Sequence, residues 1–125
     1  MDTKKTVLIV DDDDLVLESI DLLLFTAEGF RSIRARGSAG ASSHLQRAHI
    51  DVIVADIILT GSMSGIDICQ KAIEHHPAIA VVVITADTEI HRGDIPERGV
   101  FLRKPFGGDQ LLEAIGTGLE KARKA

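Results

Sequence analysis

The chain has no tryptophan and no tyrosine, its aromatic fraction is 3%, and its formal charge at neutral pH is −5. A surface with neither a basic excess nor large stacking platforms argues against direct nucleic-acid binding, which draws on both. A single cysteine, Cys69, leaves no partner for an internal disulfide and no cysteine metal centre, and points to a reducing compartment. No apolar run approaches the roughly 18 residues that mark a membrane-spanning helix. The opening MDTKKTVLIV carries two lysines but neither a long apolar stretch nor a small-residue cleavage site. The expectation is a cytoplasmic protein with no membrane partner.

What remains is a globular composition, 45% hydrophobic and 26% charged over 125 residues. That suffices for one compact domain over 1–125 with a real core. Short runs rich in valine and isoleucine recur: TVLIV (6–10), DVIVAD (51–56), AIAVVVIT (78–85) and GVFLRK (99–104), with a weaker FRSIRA (30–35). Unbroken apolar runs of this length, bounded by turn or charged residues, read as strands of a parallel sheet covered on both faces.

Helical spacing fills the intervals. Over 14–28, Val16, Leu17, Ile20, Leu23, Leu24 and Ala27 fall on one face, and Gly29 stands where a C-terminal glycine ends a helix. Segment 38–48 opens with Ser38, 65–76 stops before Pro77, and 108–121 carries Leu111, Leu112, Ile115 and Leu119 despite Gly116 and Gly118. Segment 87–99 should cross from the fourth strand to the fifth, but Gly93 and Pro96 predict a short, broken or missing helix. Strands alternating with helices predict a doubly wound α/β domain with right-handed crossovers.

Polar residues gather at the predicted strand ends: Asp11 and Asp12 after the first, Asp56 after the third, Thr85 after the fourth and Lys104 after the last. In an open parallel sheet these converge beyond the carboxyl edge, at the point where strand order reverses. Three carboxylates are hard oxygen ligands suited to Mg²⁺. A carboxylate can also accept a phosphoryl group, with the ammonium and hydroxyl holding its oxygens as charge builds. Asp13 and Asp14 suit a helix N-terminus, whose unpaired amides and dipole favour acidic residues.

The motifs VLIVDDDD, DVIVADIIL…G, VVVITAD and FLRKPF, in this order and near this spacing, resemble the receiver domain of bacterial two-component response regulators. The resemblance covers almost the whole chain. It implies a flavodoxin-like five-stranded sheet of order 2-1-3-4-5, with Asp56 as the phosphoacceptor. It also implies Mg²⁺ or Mn²⁺ held by Asp12, Asp56 and the backbone carbonyl of Ile58, with Asp11 acting through water. Lys104, followed by a cis bond to Pro105, would bind the phosphoryl group, and Thr85 and Phe101 would form the switch pair. A histidine kinase or histidine phosphotransfer protein would be the donor, and a downstream protein the target.

Three features depart from the family pattern. Thr60 stands where proline is usual, with one residue more before Gly65, which predicts a lengthened loop and unaffected chemistry. The chain from Thr85 to Lys104 is about one helical turn shorter than usual, and Phe101 lacks the hydroxyl of the commoner tyrosine. Leu15, Leu22 and Phe25 point away from the core face of the first helix, as a docking stripe for the phosphodonor would. Asp11-x-Asp13 leaves open an aspartate-nucleophile phosphatase of the haloacid dehalogenase kind, and a non-phosphorylated interaction module is a further alternative. His44, His49, His75, His76 and His91 read as surface residues, and Cys69 as a small buried hydrophobe. With LEKARKA just past the last helix, a stand-alone receiver or a piece of a larger regulator or hybrid kinase is expected.

Overall fold

The computed structural model describes residues 4–125. In chain order it contains β1 (Lys5–Val10), α1 (Asp14–Ala27), β2 (Phe30–Ala35), α2 (Ser38–Arg47), β3 (Val52–Asp56), α3 (Gly65–His75), β4 (Ala80–Thr85), β5 (Val100–Arg103) and α4 (Gly108–Lys124). All five strands pair in parallel, in the order β2-β1-β3-β4-β5. The flavodoxin-like order expected above is the one observed.

Because successive strand residues face opposite sides, each apolar run serves two cores. Leu8, Val10, Ile53, Ala55, Val81 and Val83 point to the α2/α3 side, where Leu45, Ile68 and Ala72 cover them. Val7, Ile9, Val52, Val54, Val82 and Ile84 point to the α1/α4 side, against Leu17, Ile20, Leu24, Leu111 and Ile115. This two-sided burial is why β1, β3 and β4 lack alternation. β2 lies at the edge and leaves Arg31 and Arg34 exposed. The Arg34 guanidinium and the Ser32 hydroxyl both reach Asp21 on α1, and the serine's hydrogen bond, with help from Arg34, holds that carboxyl below its ordinary value.

Helix ends follow local chemistry. The Asp13 side chain caps α1 by accepting from Leu15 N at 2.9 Å. The chain leaves that helix through two residues with positive φ, Glu28 at 60° and Gly29 at 80°. Ser64 and Asp67 form a reciprocal capping box at the start of α3. α4 runs to Lys124, three residues beyond the expected end at 121, with Lys121, Arg123 and Lys124 in its last turn where the dipole favours cations.

The segment between β4 and β5 contains only a 3₁₀ turn at Arg92–Asp94. An arginine does what a helix would otherwise do. Arg103 donates from Nη1 to Asp87 O (2.7 Å) and from Nη2 to Ile90 O (3.0 Å), pinning the irregular backbone to β5. Two expected surface histidines are half-buried, His44 and His76. His76 Nε2 lies 2.9 Å from Leu45 O and joins α3 to α2. Cys69 is buried as expected, and burial pushes its thiol pKa up to about 12, which removes it from thiolate chemistry at neutral pH.

Candidate functional site

The parallel sheet brings its strand ends to one edge, and β1 and β3 sit side by side where the chain reverses direction across the sheet. There Lys104 Nζ donates to Asp11 Oδ2 at 2.8 Å and to Asp56 Oδ2 at 2.9 Å. The second oxygen of each carboxylate takes a backbone amide two residues further on. Asp11 Oδ1 accepts from Asp13 N (2.9 Å) and Asp56 Oδ1 from Ile58 N (3.1 Å). The Asp11 residue is 1% exposed. The lysine is fixed from behind, since its amide donates to Thr85 O at 2.8 Å; the Lys104–Pro105 bond is cis, as expected.

Burial raises the Asp11 pKa, and this outweighs the stabilising bonds from Lys104 and the Asp13 amide. For Lys104, burial opposes the charged form, but the hydrogen bonds to Asp11 and Asp56 overcome it and lift the ammonium above its ordinary 10.5. Replacing Lys104 by methionine therefore leaves two carboxylates facing one another. Removing one partner of a buried pair costs about 3–5 kcal/mol. Partial exposure of Lys104 discounts that to about 2 kcal/mol at neutral pH without divalent cations. Asp11 has a folded pKa above its unfolded value, so its contribution is present at low pH and lost as pH rises through the folded pKa. The Lys104→Met deficit should accordingly shrink as pH falls in urea unfolding with EDTA present. A deficit independent of pH would contradict this account.

The remaining site residues are placed as follows. Asp12 is bound by a different partner: its Oδ2 accepts from Thr60 N at 2.7 Å and its Oδ1 from Thr60 Oγ1 at 3.1 Å. The Thr85 side chain is buried, and its hydroxyl oxygen accepts from Asp87 N at 3.0 Å. Phe101 is half-buried against the α2/α3 core, with the Arg103 guanidinium 5.0 Å from its ring centroid. Ile58 is 63% exposed; on α1, Leu15, Leu22 and Phe25 are 72%, 62% and 79% exposed.

The expected donors, the carboxylates of Asp11, Asp12 and Asp56 and the Ile58 carbonyl, are all oxygen, which fits a hard divalent cation. Among the described residues no three acidic, histidine or cysteine side chains stand together as a metal cage. Lys104 bridges Asp11 and Asp56, and Thr60 holds Asp12.

Three contributors escape a reading of residue types. Thr60 stands out only as a departure from the family's proline. Gly65 lies where a Cβ would fall 2.6 Å from the Asp56 carbonyl carbon and 2.8 Å from Ile57 Cα. Arg103, beside the lysine, binds backbone carbonyls that no sequence pattern announces.

The fold and the site thus define a doubly wound α/β domain with an acidic pair and a lysine at the carboxyl edge of its sheet. Residues 7–116 match the response regulator receiver domain family, and the chain belongs to it. Its relatives include the transcriptional regulatory protein GlrR of Escherichia coli, 31% identical over 94% of this chain and 27% of that protein. The sensory transduction protein RegX3 of Mycobacterium tuberculosis is 30% identical over 93% of this chain and 51% of that protein. The chain thus spans about a quarter to a half of the length of these relatives. A response regulator receiver protein from Sinorhizobium medicae superposes with a TM-score of 0.85 at 26% identity, over 95% of this chain and 97% of that one. A CheY-like receiver from Methanospirillum hungatei shares the fold, with a TM-score of 0.81 at 23% identity over 97% and 98% of the two chains.

Proposed function

We propose that this domain is a phosphoacceptor in a two-component phosphorelay, taking a phosphoryl group onto Asp56 from a phosphohistidine protein. The observation that carries the reading is the Lys104 ammonium set between Asp11 and Asp56 at 2.8 and 2.9 Å. An Asp56 carboxylate oxygen attacks phosphorus, the bond from phosphorus to the donor imidazole nitrogen breaks, and an acyl phosphate forms. The departing imidazole recovers its neutral form by taking a proton. Mg²⁺ or Mn²⁺, held by Asp12, Asp56 and the Ile58 carbonyl with Asp11 through water, would supply neutralisation of charge on the transferring oxygens.

Lys104 is already within reach of the acceptor, and it can pass from carboxylate to phosphoryl oxygen while keeping its backbone tether to Thr85. The Thr85 hydroxyl accepts from Asp87 N, so its own proton is available to a phosphoryl oxygen. Drawing Thr85 inward disturbs that bond and with it the crossover that Arg103 clasps beside Phe101. Added charge at the sheet edge thereby becomes a changed protein-interaction surface. Asp13 speaks against the phosphatase alternative, since its carboxylate caps α1 and its amide supports Asp11. The domain turns over no separate substrate, acts in the cytoplasm, and meets a histidine kinase or phosphotransfer protein on one side and a downstream protein on the other.

Incubation with acetyl phosphate and Mg²⁺ tests the reading. The intact mass should rise by one phosphoryl group, and the adduct should map to the peptide containing Asp56. An unchanged mass supports the non-phosphorylated interaction module instead. The donor surface is the exposed stripe of Leu15 and Leu22 beside the site. Leu15→Asp combined with Leu22→Asp should slow transfer from a phosphohistidine protein at least about tenfold, as loss of central apolar contacts does, and leave labelling by acetyl phosphate intact. Equal transfer rates would remove the stripe from the donor interface.

A further inference from the structure

The extra residue between β3 and α3 does more than lengthen a loop. Thr60 grips both oxygens of Asp12, through its amide at 2.7 Å and its hydroxyl at 3.1 Å. The same residue is held from the other side, because its carbonyl accepts from Ser38 N at 3.2 Å at the start of α2. Gly37 makes room for this arrangement. A Cβ there would stand 3.0 Å from both the Thr60 carbonyl and its hydroxyl, and 3.8 Å from Asp12 Oδ1. Its φ of −166° is open to any residue, so the glycine serves space and not backbone conformation. The next residue, Gly61, has φ +111° and lies against the Ser38 side chain, which keeps the loop folded over α2.

We propose that Thr60 is a latch on Asp12 that competes with the divalent cation and sets the metal affinity of the phosphorylation site. This rests on the receiver reading, in which Asp12 is a direct metal ligand. The physical reason is a population argument: a binding-competent arrangement present for only part of the time weakens apparent affinity by that fraction. Proline, the usual residue at this position in the family, has neither an amide hydrogen nor a hydroxyl, so it could make neither bond. Thr60 is thus a positioning residue that trades metal occupancy against a closed loop.

The test is calorimetric titration of the whole chain with MgCl₂, alongside ¹⁵N–¹H spectra of the Thr60 amide. Thr60→Val, which removes the hydroxyl and keeps the shape, should bind Mg²⁺ about three- to tenfold more tightly, the range that one ordinary hydrogen bond is worth. Thr60→Ser should stay within about twofold of wild type, since it retains both donors. Gly37→Ala, which crowds Thr60 at 3.0 Å and meets Asp12 Oδ1 only at van der Waals distance (3.8 Å), should also tighten binding. In wild type the Thr60 amide resonance should shift with the same midpoint as the heat. If wild type binds Mg²⁺ and is labelled by acetyl phosphate, but Thr60→Val binds with equal or lower affinity, the latch is overturned and the receiver reading stands. If wild type and all variants show neither heat nor amide shift, the metal assignment falls and takes the latch with it.

Discussion

Asp56→Asn should abolish labelling by acetyl phosphate while leaving the fold in place. An amide is neither a competent nucleophile nor an anion, so the attacking oxygen is lost outright. The structural cost is small because the substitution is nearly isosteric. The asparagine oxygen can satisfy either Ile58 N, now 3.1 Å from Oδ1, or Lys104 Nζ, now 2.9 Å from Oδ2, but not both. One hydrogen bond of about 1 kcal/mol is thereby lost. Against it, a negative charge disappears from beside Asp11, whose pKa the neighbouring Asp56 charge helps to raise. The two effects oppose each other, and urea unfolding should put the variant within about 1 kcal/mol of wild type. Intact mass after incubation with acetyl phosphate and Mg²⁺ is the measurement. An adduct at wild-type level in Asp56→Asn would move the acceptor to another residue.

The layout around that acceptor was readable from the chain wherever a side chain's position follows from its strand. Apolar runs locate β1, β3 and β4, a parallel sheet aligns their ends, and Asp11, Asp56 and Lys104 meet as a consequence. The edge strand β2 is fainter in the sequence because two of its six residues, Arg31 and Arg34, are exposed, and pairing with β1 alone makes it a strand. The expected end of α4 at 121 falls short because Gly116 and Gly118 lower helix propensity, whereas burial of Gly118 and Ala122 overrides it. Asp12 shows where such reasoning stops. Its partner is set by a loop conformation that depends on one extra residue, a positive φ at Gly61 and free space at Gly37. Periodicity carries no information about any of these. The half-buried His76 is a similar case, since a helix-to-helix bond to the Leu45 carbonyl depends on how α2 and α3 pack.

Gly65→Ala should be the most damaging single methyl that can be added near the site. Gly65 is the first residue of α3, and its amide donates to Ile57 O at 2.8 Å. The helix start therefore crosses the end of β3 at backbone contact. An alanine Cβ would stand 2.6 Å from the Asp56 carbonyl carbon and 2.8 Å from Ile57 Cα, and nearer still to the Asp56 carbonyl oxygen. Backbone atoms in a central strand cannot rotate out of the way as a flexible side chain can. Overpacking commonly costs about 1–3 kcal/mol. With a rigid neighbour on the receiving side, about 3 kcal/mol or more is expected, or a melting midpoint lowered by roughly 10 °C. The strain falls on Asp56 itself, so acetyl phosphate labelling of the folded fraction should also decline. Gly116 supplies the control: it is exposed within α4, and a Cβ there meets nothing within 4 Å. Gly116→Ala should raise stability by up to about 1 kcal/mol through helix propensity alone. Opposite signs for the two variants in thermal unfolding would tie the loss at Gly65 to its contact with β3, whereas equal midpoints would show that the start of α3 shifts freely.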